Sequence, residues 1–163
     1  MNKTFETLVI YDRAGNVLLD KRGNKSSVSV TDHEATLFKD AIMTHNHPSG
    51  WDYPDNSIRR IGNSFSPQDV LLTIKNNAQE CRVVTPMMSF TMKRPETGWP
   101  SLMQAKYEYS RIEQQVLQDA YSRINDGTLT TDQASTVHYH HIWKRFAEKL
   151  GIEYTKKGLK LPG

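Results

Sequence analysis

Apolar and β-branched residues fill positions 5–11 and 17–19, and the polar stretch 12–16 between them carries Gly15 and Asn16, which suit a turn. This pattern predicts a β-hairpin, followed by a third short extended segment at 26–30. Thr31, with Glu34 three residues on and then Ala35, Leu37 and Phe38, has the form of a capping box that opens a short helix. Residues 41–44 return to extended chain. Ser66 as N-cap, Pro67 at the first helical position and Asp69 in the first turn start a second helix, expected to run to Asn77 or Gln79. Residues 82–85 and 89–92 read as a closing hairpin, with Met87 and Met88 at an exposed tip beside Pro86.

Pro95, Gly98 and Pro100 then mark a linker. Beyond it, Ser101 and Gln104 form a second capping box. Leu102, Ala105, Tyr109, Ile112, Val116, Ala120 and Ile124 recur at three- and four-residue steps, which predicts a long amphipathic helix stopped by Asn125, Asp126 and Gly127. Thr130 with Gln133 opens a last helix, whose apolar side holds Val137, Ile142, Phe146 and Leu150 before Gly151. The expected class is therefore α/β in the α+β sense: a mixed sheet flanked by helices over residues 1–95, and a helical extension of two helices over 96–163. That extension is expected to pack on the sheet or to present a docking face, for a second copy of the chain or another partner.

Composition narrows the chemistry. With 163 residues, 37% hydrophobic and 24% charged, the chain suits one core plus an appendage. A net charge of +3, with lysines and arginines scattered apart from Lys156, Lys157 and Lys160, does not describe a nucleic-acid-binding face. No run approaches the roughly 18 apolar residues that cross a bilayer, and the first residues lack the apolar stretch of a signal peptide, so a cytoplasmic protein is expected. Cys81 is the single cysteine, so no disulfide forms within the chain and no multi-cysteine cage can hold a metal. Any metal must sit on imidazole and carboxylate.

The segment from Thr44 to Gly50 reads THNHPSG. Residues two apart in a strand share a face, so His45 and His47 can aim ring nitrogens at one ion, and Pro48 places them at a strand end where a cleft can open. An isolated H-x-H is more often polar surface; the neighbouring chemistry tips the balance. Asp69, on the first turn of the helix that Ser66 and Pro67 open, can complete a site of two histidines and one aspartate. The same three residues also serve as an ordinary helix cap.

In these residues the chain resembles the JAMM metalloproteases of the MPN fold, whose pattern is a glutamate, then H-x-H-P, then S-x-x-D. HNHPSG at 45–50 is similar to the RadC-like bacterial branch. Phe65-Ser66-Pro67-Gln68-Asp69, Arg82-Val83-Val84, Lys93-Arg94-Pro95 and Gly98-Trp99-Pro100 resemble phage- and toxin-associated relatives. The resemblance covers residues 5–100.

It implies an MPN-type domain acting as a zinc peptidase or isopeptidase on a protein or peptide substrate. His45, His47 and Asp69 would be the Zn2+ ligands, Ser66 an oxyanion hydrogen-bond donor and Glu6 the general base. Glu34 competes for that last role, but its capping box already explains it, whereas Glu6 is a lone charge at the start of an apolar strand. One departure is large: eighteen residues, 48–65, separate His47 from Ser66, where the family leaves seven. The insertion is expected to form a substrate-contacting flap, and its Asp52 and Asp55 are alternative ligands to Asp69.

Elsewhere, His138 and His141 share a helical face and are read as helix surface before a second metal site. The rival functional readings are an inactive JAMM-fold binding or assembly module in a phage or toxin system, and a metal-dependent nuclease, which would need a basic face.

Overall fold

The N-terminal alternation forms the expected hairpin. β1 (Thr7–Tyr11) and β2 (Val17–Arg22) pair antiparallel, with Leu8 and Ile10 of β1 buried. One Asp12 carboxylate oxygen closes the turn by accepting from the amides of Ala14 and Asn16, both at 2.9 Å. The computed structural model describes residues 4–162 of the chain.

Four more strands complete one mixed sheet in the order β2-β1-β3-β4-β5-β6. β3 (Ile42–Asn46) lies antiparallel to β1 and parallel to β4 (Glu80–Val84). β5 (Met88–Lys93) and β6 (Glu153–Gly158) extend the sheet antiparallel. The helices are α1 (Asp32–Ala35), α2 (Pro67–Lys75), α3 (Leu102–Asn125) and α4 (Thr131–Leu150). The architecture is the mixed α/β class expected, and among the described residues no helix is long and apolar enough to cross a membrane.

The helix starts form as their caps dictate. Thr31, Ser66 and Thr130 close reciprocal capping boxes with Glu34, Asp69 and Gln133. Ser101 accepts from the Gln104 amide. α2 ends at Lys75, earlier than expected, because the Asn76 side chain donates to the Leu72 carbonyl and Asn77 turns left-handed at φ 53°.

Two expectations differ more. Residues 26–30 pair with no strand: the Asn24 side-chain oxygen takes the amides of Ser26 and Ser27 at 2.8 and 2.9 Å and curls the backbone instead. Met88 is not exposed at a hairpin tip; it lies in the core at 3% exposure, with Met87 packed against that core.

Beyond residue 95 the chain contributes two helices and a strand, β6, that its polar sequence does not announce. One buried cluster joins sheet residues such as Ile10, Val83 and Phe90 to Ile112, Trp143 and Phe146 of α3 and α4. Trp143 is fully buried; its indole N–H donates to the Phe65 carbonyl at 2.7 Å, and its ring lies 5.3 Å from those of Tyr109 and Phe146. β6 is fastened through Tyr154, whose hydroxyl meets Ser64 Oγ at 2.9 Å and His140 Nδ1 at 3.0 Å.

Two outcomes follow. Trp143→Ala removes a filled core position and is expected to lower the unfolding free energy by about 3–5 kcal/mol in urea titration. Burial, reinforced by the nearby His141, Lys156 and Lys144, lowers the His140 pKa from 6.5 to about 4. The unfolded chain therefore binds the proton more tightly, and the stability from a neutral His140, complete above about pH 6.5, is lost as pH falls toward 4. Equilibrium unfolding across that range should show the loss, with a shallower slope in His140→Gln.

Candidate metal centre

β3 runs outward from the core with Met43 and His45 on its buried face, 2% and 3% exposed. The next residue on that face is His47, just past the strand; its amide still donates to the Val84 carbonyl at 2.9 Å, so the ladder holds both histidines in register. Because β4 pairs parallel to β3, the chain must leave β3 at its C-terminal end and travel back before β4 begins. α2 makes that return, and its first turn stands beside the histidines. Asp69 is thereby delivered to them.

The geometry is tight. His45 Nε2 and His47 Nε2 lie 3.1 Å apart, and Asp69 Oδ2 is 3.2 Å from the first and 3.6 Å from the second. A tetrahedral metal ion with bonds of about 2.0–2.1 Å needs its donors about 3.3–3.4 Å apart, which is the edge length of this triangle to within a few tenths of an ångström. Glu6 is also close: one of its oxygens and a ring nitrogen of each histidine all lie within 4.8 Å of one another. Glu6, His45 and His47 form a group that can hold a metal ion, and Asp69 adds a fourth donor beside it.

Electrostatics support a cation at this point. Burial alone would raise the Asp69 pKa, but His45 and His47 outweigh it and hold the carboxyl well below the usual range. Burial would lower the His47 pKa; its hydrogen bond to Asp69 and the attraction of that carboxylate outweigh it, so the net shift is upward. The same carboxylate oxygen that raises the His47 pKa lies 3.6 Å from its Nε2 and 3.2 Å from His45 Nε2. Glu6 is raised, chiefly by burial and against the pull of both histidines. A carboxyl raised in this way in a cleft is better suited to accepting a proton than an ordinary surface glutamate.

The supporting groups are backbone and amide. Asn63 offers a carbonyl 3.0 Å from His47 Nδ1; a carbonyl only accepts, so Nδ1 carries a proton and Nε2 is the nitrogen turned to the site. Asn46, fully buried between the two histidines, grips the backbone on both sides of Glu6. Its Oδ1 accepts from the Thr7 amide at 2.7 Å and its Nδ2 donates to the Phe5 carbonyl at 2.8 Å. His45 Nδ1 is buried with no partner among the described residues, so that ring's polar contacts lie on its Nε2 side. Ser66 Oγ accepts from the Asp69 amide at 3.3 Å, which leaves its own proton for another acceptor.

All five residues singled out from the sequence, Glu6, His45, His47, Ser66 and Asp69, line one cavity with Val28, Val30 and Leu72. The competitors lie elsewhere. Glu34 is held by Lys21 at 2.7 Å and caps α1, Asp52 pairs with Lys25, and Asp55 pairs with Arg60. His138 and His141 gather no third ligand among the described residues. Asn46 and Asn63 escape a reading by residue type, because an amide announces neither a ligand nor a base.

The 48–65 insertion is packed rather than open. Pro48, Gly50 and Ile61 are buried, and its two short 3-10 turns, Pro48–Asp52 and Ile58–Ile61, seat against each other. Arg59 ties it to Asp132 of α4 at 2.7 Å. It still forms a wall of the site through Pro48, Ser49, Asn63 and Ser64. Comparison with protein-family models, curated proteins and solved structures returns no match for this chain.

Gly62 sets the position of Asn63. It sits at φ 76°, and a Cβ there would fall 2.7 Å from Cβ of Thr85, whose hydroxyl donates to the Ile61 carbonyl. Gly62→Ala should displace the Asn63 carbonyl from His47 and weaken binding of a divalent metal about 10- to 100-fold in calorimetric titration, with every ligand side chain intact.

Proposed function

We propose that this protein is a zinc-dependent peptidase or isopeptidase of the JAMM type. The observation that carries the reading is the convergence of His45 Nε2, His47 Nε2 and Asp69 Oδ2 into a triangle of tetrahedral dimensions, with the carboxyl of Glu6 alongside. Donors of this kind, imidazole with carboxylate and no thiolate, suit zinc in a catalytic rather than a structural setting. His45, His47 and Asp69 would hold the ion. Bound there, zinc polarises a carbonyl and makes water nucleophilic near neutral pH.

The chain's own residues supply the rest. Glu6 takes a proton from the attacking water and returns it to the departing amine; its raised pKa and the Asn46 grip on its backbone fit that two-way traffic. Ser66 Oγ, at the head of α2, donates to the substrate carbonyl oxygen as it becomes negative, a contact whose loss typically costs about 10²–10³ in turnover. The apolar wall of Leu8, Val28, Val30 and Leu72 limits water around these charges and strengthens each of them.

Glu6→Gln is expected to keep one zinc per chain by elemental analysis and to lose peptide hydrolysis by about 10²-fold or more. His47→Ala and Asp69→Ala should each lose the zinc. Full activity in Glu6→Gln would overturn the role of Glu6. Full zinc occupancy in both ligand variants would overturn the ligand set and, with it, the hydrolase reading.

A further inference from the structure

The metal centre opens on one side past Pro48, Ser49, Ser64 and the ring of Tyr139 from α4. Tyr139 and Asn63 belong to two spaces at once. They border the site with Glu6, His47 and Ser66, and they border a second cleft between α3 and α4. Tyr139 also lies close enough to Asp69 to feel its charge.

Besides Asn63 and Tyr139, the second cleft is lined by Leu117, Tyr121, Ile124 and His138, with the small side chains of Ala120, Thr131, Ala134 and Ser135. Among the described residues no aspartate, glutamate, lysine or arginine lines it, although 24% of the chain is charged; Asp119, Arg123 and Arg145 line the adjoining hollow that shares Ala120, Ala134 and His138. Leu117 is 40% exposed and Tyr121 65%, whereas Ile112 and Val116 of the same helix are buried; the helix's other exposed large apolar side chains, Met103 and Tyr107, lie nearer its start and do not line the cleft. Burial lowers the His138 pKa, which keeps its ring neutral and compatible with apolar company. A cleft lined by two tyrosines, two branched aliphatic side chains and an imidazole, with no charged side chain in its lining, suits an apolar or aromatic side chain.

We infer that this cleft is a specificity pocket for the substrate polypeptide, receiving an apolar or aromatic side chain a short distance along the chain from the bond held at Glu6 and Ser66. The inference rests on the peptidase reading above, and Asn63 and Tyr139 form the sill over which the substrate backbone passes. An extended chain advances about 3.3–3.6 Å per residue, so a segment lying across both spaces places successive side chains on alternate sides and one of them over the pocket.

The test uses the zinc-loaded full chain. Wild type, Tyr121→Ala and Leu117→Asp are each given a pool of proteome-derived peptides together with lysine-branched peptides, and the products are sequenced. kcat/KM is then measured on matched substrates carrying phenylalanine, lysine or glycine at the position selected by wild type. Wild type should select Phe, Tyr or Leu at one fixed distance from the cut bond. The phenylalanine-to-glycine ratio should fall about tenfold or more in Tyr121→Ala, and Leu117→Asp should shift the preference toward lysine.

Both side chains are exposed, and equal zinc content and thermal unfolding verify that the variants remain folded. Cleavage that continues in both variants with the wild-type preference unchanged overturns the pocket while leaving the peptidase reading standing. Absence of any cleavage by zinc-loaded wild type overturns the peptidase reading, and the pocket falls with it.

Discussion

Parallel pairing of β3 with β4 is the constraint from which the site follows. Two parallel strands cannot be joined by a tight turn, so the chain leaving β3 beyond Asn46 must cross over and return before β4 can start at Glu80. The returning element is α2, and the direction of return places its N-terminus at the end of β3 that carries His45 and His47. A capped helix start, Ser66-Pro67-Gln68-Asp69, is therefore brought against the histidine pair by topology. The same end of a sheet, beyond the carboxyl ends of parallel strands, is where α/β proteins generally build their sites.

The side chains gathered there are costly to bury. Two imidazoles and two carboxylates share a pocket in which Glu6 and His45 are almost fully covered, at 7% and 3% exposure. Isolated ions in such a place would be strongly unfavourable, and the group persists because each member faces an opposite partner or a fixed amide. Asp69 shows this most plainly: one of its oxygens accepts the Ser66 amide at 2.7 Å and faces both imidazoles. One carboxylate thus finishes the cap of α2 and faces the centre. The helix-cap reading of S-x-x-D is thus met, and the same geometry leaves the carboxylate facing the imidazoles, as the proposed ligand role requires.

Much of this was legible in the sequence because local rules and tertiary structure agree. Capping boxes, the turn at 12–16 and the three- and four-residue apolar spacing locate α1, α2, α3, α4 and the first hairpin without reference to the rest of the chain. The meeting of Glu6, His45, His47, Ser66 and Asp69 in one cavity was expected from a family pattern, since nothing in local spacing requires residue 6 to approach residue 69. What escaped was carried by contacts rather than by residue type. β6 reads Glu-Tyr-Thr-Lys-Lys-Gly, an edge strand whose only inward anchor is Tyr154, so no apolar alternation marks it. Met88 looked like a turn residue and proved to be core. The insertion, expected as a substrate-contacting flap, borders the site, and what its sequence did not announce is the packing of Pro48, Gly50 and Ile61, with Gly62 against Thr85, that holds Asn63 under His47.

In the proposed site one divalent ion would be held by two imidazole nitrogens and one carboxylate oxygen, with a further position left for solvent. Zinc K-edge X-ray absorption on protein loaded with one equivalent of zinc examines that arrangement directly. The predicted result is a first shell of four nitrogen or oxygen atoms at about 2.0–2.1 Å, with the outer-shell scattering of two imidazole rings. A shell containing sulfur, or one with the scattering of a single imidazole or none, would contradict it.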